Sequence, residues 1–278
     1  MWKNLKLGVG AVALMCLPAC GIFAARGSGH KVTETRNVTG FARVENHSPL
    51  DVVVREAATA TINVTLDDDL QKYITTSLSG DSLIINNSDD LHFEGEGRVV
   101  VTLPRFLGAK NSASGSLLIE DITQSNPLSF VLEGSGNLKY CGPASSLSAK
   151  ASGSGSITLC TPKEQVLESV NLSSDDSGGL TYDGFAKSLE AINDGSGDMH
   201  LSGQAPRFVA RLNSSGEVEA QGFTSTDGEL RVNGSGDVLA TVTGTVSVYI
   251  NSSGSVELWG GASARDVFIN GSGSLRRH

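Results

Sequence analysis

Apolar and polar residues alternate over most of this chain, and the alternation restarts at near-regular intervals. The restart marker is a Ser-Gly pair, at Gly115, Gly136, Gly155, Gly178, Gly197, Gly216, Gly236, Gly254 and Gly273, each with Ser before it. The spacings between successive pairs are 21, 19, 23, 19, 19, 20, 18 and 19 residues. Two residues past each glycine stand Leu117, Leu138, Ile157, Leu180, Met199, Val218, Val238, Val256 and Leu275, apolar in every copy. Two residues further come Ile119, Tyr140, Leu159, Tyr182, Leu201, Ala220, Ala240 and Leu258, with mostly polar or small residues between. Period-two alternation buries one face of a strand. A matching run precedes many of the turns, as in Phe208-Ala210-Leu212 and Val246-Val248-Ile250. Each repeat is therefore predicted as strand, Gly-containing bend, strand and a looser return that often holds a second glycine (Gly142, Gly184, Gly203, Gly222, Gly260).

One such repeat cannot bury its own apolar face, but a stack of them can. Stacking places equivalent residues about 4.8 Å apart, with backbone hydrogen bonds running along the stack. The predicted fold is all-β, a single-stranded parallel β-helix of about nine Ser-Gly rungs. It is expected to be right-handed, as parallel crossovers are, and roughly 40 Å long. Glycine at the corner serves two ends in this reading: backbone conformations closed to other residues, and close stacking of successive turns. Asn213, Asn233, Asn251 and Asn270 fall in one column of four successive repeats, where amides can bond along the axis. Residues 31–110 are less regular but strand-like, with Val52-Val54, Ile62-Val64-Leu66, Leu83-Ile85 and Val99-Val101-Leu103, and with a short helix expected near Gln71-Lys72-Tyr73. They are assigned to N-terminal coils and a cap, and 111–278 to the Ser-Gly repeats of the same domain.

The first residues are an address rather than fold. Lys3 and Lys6 precede an apolar run from Leu7 to Leu17, too short to span a bilayer but suited to a secretory signal. Leu17-Pro18-Ala19-Cys20-Gly21 resembles a bacterial lipobox, with Pro18 unusual at its position; Cys16, after Met15, is a poorer match. The expected layout is a lipoprotein signal over 1–19, a lipidated Cys20 and a tether over 20–30. The chain carries 21 basic and 30 acidic residues, a net charge of −9. Loss of Lys3 and Lys6 leaves 19 basic residues and a net of −11. Acyl chains rather than a basic patch must then hold the protein to a membrane. The same balance argues against nucleic acid as a partner.

Thr35-Arg36-Asn37-Val38-Thr39-Gly40-Phe41-Ala42-Arg43-Val44 follows Gly27-Ser28-Gly29. Asp51-Val52-Val53-Val54, Ile62-Asn63-Val64, Asp68-Asp69-Leu70, Leu83-Ile84-Ile85 and Val101-Thr102-Leu103-Pro104 come next, before the repeats. In that order these elements resemble the bacterial putative auto-transporter adhesins with a head GIN domain, over roughly residues 27–275. The resemblance implies a β-helix and a cell-envelope location, and it supplies no catalytic residues. Self-export would call for a C-terminal barrel, which Leu275-Arg276-Arg277-His278 does not begin to supply.

The residues themselves also point away from catalysis. Glycan-cleaving β-helices use paired carboxylates; Asp175-Asp176 is the nearest echo, without a Gly-His-Gly, and Lys187 and Arg207 beyond it are isolated. His30, His47, His92, His200 and His278 are scattered, and there is no Gly-x-Ser-x-Gly elbow. No cofactor is expected. Asp198, Glu217 and Asp237, just past three successive corner glycines, are weak candidates for Ca²⁺, with solvated turn acids as the simpler reading. Tyr140 and Tyr182 are placed in the core, and Trp259 is expected to face outward. Cys141 and Cys160 each lie five residues past a corner glycine, so they share a column in adjacent rungs and form a candidate disulfide.

Two functions follow from this reading: a non-catalytic envelope lipoprotein with an adhesive flank for a protein or glycan, or a structural or regulatory periplasmic lipoprotein contacting another envelope protein. A calcium- or polysaccharide-binding solenoid is the lesser alternative. Self-association, if it occurs, is expected end to end through the C-terminal rung.

Overall fold

The structure, a computed structural model, describes residues 24–88, 92–94 and 97–278. The predicted β-solenoid is present, and among the described residues there is no α-helix. The stretch Val238–Ile250 shows how the sequence makes a rung. Val238, Ala240 and Val242 point inward and are fully buried; the chain then bends at Thr243-Gly244, and Val246, Val248 and Ile250 point inward from the second long face. Asn251-Ser252-Ser253-Gly254 turns the chain into the next rung, where Val256 pairs in parallel with Val238 and Val267 with Val248. The same in-register pairing runs back through Val218, Met199, Leu180, Ile157 and Leu138 to Leu117. Leu, Val and Ile dominate the inward columns, and β-branched side chains suit a pleated, half-buried surface. Aromatic rings fill part of the core. Phe130 and Tyr140 pack with tilted rings, centroids 5.2 Å apart, Phe106 sits against both, and Phe208 packs on Phe223 at 5.5 Å.

The N-terminal end is built differently. Strands Arg43–His47 and Asp51–Glu56 make the first rung in the chain but not the first in space. Arg43–His47 lies between Ser82–Asn87 and Gly108–Asn111, in parallel with both. Asp51–Glu56 lies likewise between Arg98–Leu103 and Leu117–Glu120. Outside this interleaved pair the pairing within the main sheet turns antiparallel, while Ala24–Arg26 and His92–Glu94 form a separate parallel pair. Thr61–Asp67 bonds Arg98–Leu103 and then Lys31–Arg36, while Ile74–Ser79 forms a hairpin with Ser82–Asn87. The hairpin turn is Gly80-Asp81, and Gly80 takes a φ of +60°, which glycine reaches without penalty. The expected short helix is a 3₁₀ turn over Gln71–Tyr73. It plugs the end of the core: Leu70 and Ile74 are buried, and the buried Gln71 amide donates to the carbonyls of Val32 and Val64, each at 3.0 Å. No such plug covers the other end among the described residues. Strands Ser263–Ile269 and Ser274–Arg277 pair on one side only, and Val267, Phe268 and Ile269 are 48, 54 and 42% exposed.

Candidate functional site

The Ser-Gly corner is the most repeated feature, so its chemistry comes first. All nine glycines stack in one column, and none of them has a left-handed φ. Of the two roles expected for them, only close approach operates. A Cβ on Gly136 would fall inside 3.0 Å of the Gly115 carbonyl oxygen, one on Gly155 inside the same distance of Gly136, and so on to Gly273 over Gly254. Positive φ is found instead in the return bend, at Gly203 (+116°) and Gly260 (+92°).

The column just past the glycine is spent on bonding the rungs together. Ser116 N–H donates to Asp51 at 2.8 Å, Ser156 N–H to Asn137 at 3.0 Å, and Glu217 N–H to Asp198 at 3.0 Å. Asp237 accepts from both the N–H and the hydroxyl of Ser255, at 2.9 and 2.7 Å. Asp198 and Asp237, two of the three weak metal candidates, therefore hold backbone amides. Among the described residues no three His, Cys, Asp or Glu side chains converge to hold a metal. Glu217 lies between them, and among the described residues its carboxylate has no hydrogen bond. Partial burial, and then the charges of Asp198, Glu219 and Asp237, push its pKa up from the ordinary 4.5. A folded pKa above the unfolded one means that this group's stabilising contribution is full below 4.5 and is lost as pH rises through the raised value. Glu217→Gln is accordingly expected to raise the thermal midpoint at neutral pH and to leave it nearly unchanged in acid. An equal shift at both pH values would show that the charge is not the cause.

Two columns earlier than the corner serine runs an exposed amide ladder. Asn213 donates to Asp194 at 2.6 Å, Asn233 to Asn213 at 2.7 Å and Asn251 to Asn233 at 2.9 Å. The ladder therefore extends one rung further back than the asparagines suggest, through an Asp, and Asn270 forms no side-chain bond to it. A second, buried set was not apparent from the sequence. Asn46, Asn111 and Asn193 are fully buried, and each reaches across its own turn to a carbonyl four residues on: Leu50 at 3.1 Å, Gly115 at 2.7 Å and Gly197 at 2.7 Å. The later copies carry Leu212, Val232 and Ile250 in this column, so its polar members read as interruptions of an apolar strand.

Cys141 and Cys160 are register partners with Cα atoms 4.5 Å apart, and a disulfide joins them across two rungs. Tyr140 and Tyr182 are fully buried core residues. Burial pushes both phenols up, Tyr182 to about 12, and Tyr140 donates its hydroxyl to the Pro143 carbonyl at 2.5 Å. Trp259 is half-exposed rather than free: His278 stacks on it with centroids 4.4 Å apart and planes 8° from parallel. Asp175 pairs with Lys150 at 2.6 Å, and His200 with Glu219 at 2.6 Å. The Asp175-Asp176 echo of a hydrolase site is thus one ion pair plus a turn residue whose carboxylate holds the N–H of Ser177.

The description "putative auto-transporter adhesin, head GIN domain" matches the sequence twice, over residues 40–161 and 161–262. The chain belongs to this family. The two matches meet at Thr161, inside the stack, so each head GIN match covers several rungs of one continuous solenoid. No curated protein matches the sequence. Solved structures share the head GIN fold at low identity. A putative adhesin from Parabacteroides distasonis is 17% identical with a TM-score of 0.63, covering 92% of this chain and all of that one. A putative adhesin from Parabacteroides merdae is 16% identical with a TM-score of 0.61, covering 92% and 99%. A putative lipid binding protein from P. distasonis is 16% identical with a TM-score of 0.60, covering 92% and 100%. The proposed signal over 1–19, Cys16 and Cys20 lie outside the described residues. Among the described residues no helix is long and apolar enough to cross a membrane.

Proposed function

We propose that this head GIN protein is a non-catalytic binding rod of the cell envelope, held to a membrane by lipid on Cys20 and offering the flank of its solenoid to a ligand. The observation that carries this reading is how the polar side chains are used. Those that could have done chemistry at the corner, Asp198, Asp237 and the Asn213–Asn251 ladder, bond one rung to the next. What remains is a stiff, extended side surface, the kind of scaffold on which repeat proteins carry binding faces. The family description, which speaks of adhesion, supports the same reading.

The anchor is tested by Cys20→Ser in the full-length protein. The unaltered chain is expected in the detergent phase and the variant in the soluble fraction; a variant that stays with the membrane removes the lipid from the account. Protease shaving of intact cells tests the setting: loss of the rod supports an adhesive flank facing outward. Full protection supports the alternative, a periplasmic lipoprotein that contacts another envelope protein.

A further inference from the structure

One flank departs from the even polar surface. Six arginines, and no lysine, follow Lys187 in the sequence, and four of them (Arg207, Arg211, Arg231 and Arg265) stand on the outer side of the second long face, in a chain of net charge −9. Two of the four are matched: Arg211 pairs with Glu190, and Arg231 with Glu229 at 2.7 Å. Arg207 and Arg265 are different. Both are exposed, neither forms an ion pair among the described residues, and both border one cavity of about 70 Å³. Three local features make that cavity. Gly228 forms part of its lining, at an inward column where the neighbouring rungs have Phe208 and Val246. Arg265 is the extra residue of a β-bulge, because Val246 pairs with Ala264 while Ser247 pairs with Asp266. Bulges re-aim the side chain they carry. Its guanidinium rests on the Thr245 hydroxyl at 3.1 Å, and Thr245 in turn donates to Asp227 at 2.5 Å. Beside the cavity on the same strands, Tyr249 and Phe268 are register neighbours; the Arg231 guanidinium lies 4.5 Å from the Tyr249 ring centre, and Phe268 is 54% exposed.

We propose that this face binds an anionic oligosaccharide, with a carboxylate or sulfate substituent between Arg207 and Arg265 and a neighbouring sugar ring on the exposed Phe268. The proposal rests on the reading of the protein as a binding rod and names the face and the ligand class. Guanidinium forks suit planar or multi-oxygen anions through paired N–H donors. The cavity is small, so it takes the charged substituent, and the ring lies outside, where the exposed Phe268 ring is available. The acids interleaved with the arginines limit the charge density of the ligand. Asp227, which accepts from the Thr245 hydroxyl, and Glu229, paired with Arg231, line the same cavity and repel a densely charged polyanion such as nucleic acid. Thr245 spans to Tyr249 over four residues, roughly 13 Å of strand, so the ligand is a short oligosaccharide rather than a single sugar.

The test uses the full-length protein in detergent and three immobilised oligosaccharides: an oligogalacturonide with carboxylates, a chondroitin sulfate fragment with added sulfates, and a neutral maltooligosaccharide. Binding to one or both anionic probes and not to the neutral one is expected. The Arg207→Ala/Arg265→Ala pair should weaken it at least tenfold, since charge-assisted hydrogen bonds are lost. Arg276→Ala/Arg277→Ala makes the same charge change away from this face and should leave binding intact. Which anionic probe binds better distinguishes a carboxylate from a sulfate as the recognised group. Equal binding to charged and neutral probes, no binding to any of them, or an equal loss from the Arg276/Arg277 pair, would overturn the site. If cell adhesion persists in the Arg207/Arg265 variant while the site falls, the binding-rod reading stands on another face.

Discussion

Gly216→Ala is expected to lower the stability of the solenoid by about 3 kcal/mol, at the upper end of the usual cost of overpacking. The added methyl would meet the Gly197 carbonyl inside 3.0 Å and the Asn193 amide at 2.9 Å. Gly197 is backbone held at both its polar groups, its N–H by the Asp176 carbonyl at 3.1 Å and its carbonyl by the Asn193 amide at 2.7 Å, so it cannot withdraw as a side chain would. Gly222→Ala supplies the comparison. It is also a non-left-handed glycine of a rung, but its nearest neighbour is 3.6 Å away, and alanine there should stabilise by up to about 1 kcal/mol by restricting the unfolded chain. Thermal midpoints of the two variants should therefore move in opposite directions. If they fall together, the corner glycines are not there for close approach.

Opening the Cys141–Cys160 bond should cost about as much. The cysteines are 19 residues apart in sequence, and closing a loop of that length in the unfolded chain is worth about 3 kcal/mol on the chain-entropy account. The folded chain already places the two Cα atoms at 4.5 Å, in register, within the span that a disulfide accepts. Reductant is expected to lower the thermal midpoint of the unaltered protein and to have no effect on Cys141→Ser/Cys160→Ser, which should already melt at the lower temperature. A midpoint indifferent to reductant in the unaltered protein would mean that the bond adds nothing to the fold.

The residues that announced the fold and those that did not differ in how far their partners lie along the chain. Met199 and Leu201, or Val246, Val248 and Ile250, face the core because alternation leaves a strand no other arrangement, and each pairs with its counterpart one repeat away. The cysteine pair and the asparagine ladder follow from the same column arithmetic. The interleaving of 43–56 between two later stretches was not legible. Val52 pairs with Val99 and with Leu117, and alternation identifies each as a strand without saying which is its neighbour. Asn193 was hidden by the apolar company of its column, and Arg265 by a bulge that shifts the count by one. The corner glycines were recognised for their place, while their cause, a carbonyl directly beneath each one, is visible only in three dimensions.

The interleaved N-terminal rung also dictates an order of assembly. Arg43 must wait for Ser82 on one side and Gly108 on the other, so the first strands of the chain cannot be completed until residues some 65 positions later have been delivered. Every rung after that needs only the stretch that has just arrived, because each pairs with the copy before it. Closing the longer loop costs only about 1 kcal/mol more than closing one repeat, yet it must happen before there is a template to grow on. Nucleation at the plugged end, followed by rung-by-rung accretion toward Ser263–Ile269, is the path this topology favours. A chain emerging N-terminus first through an export channel would thus meet its slow step early and fold the rest at the pace of delivery.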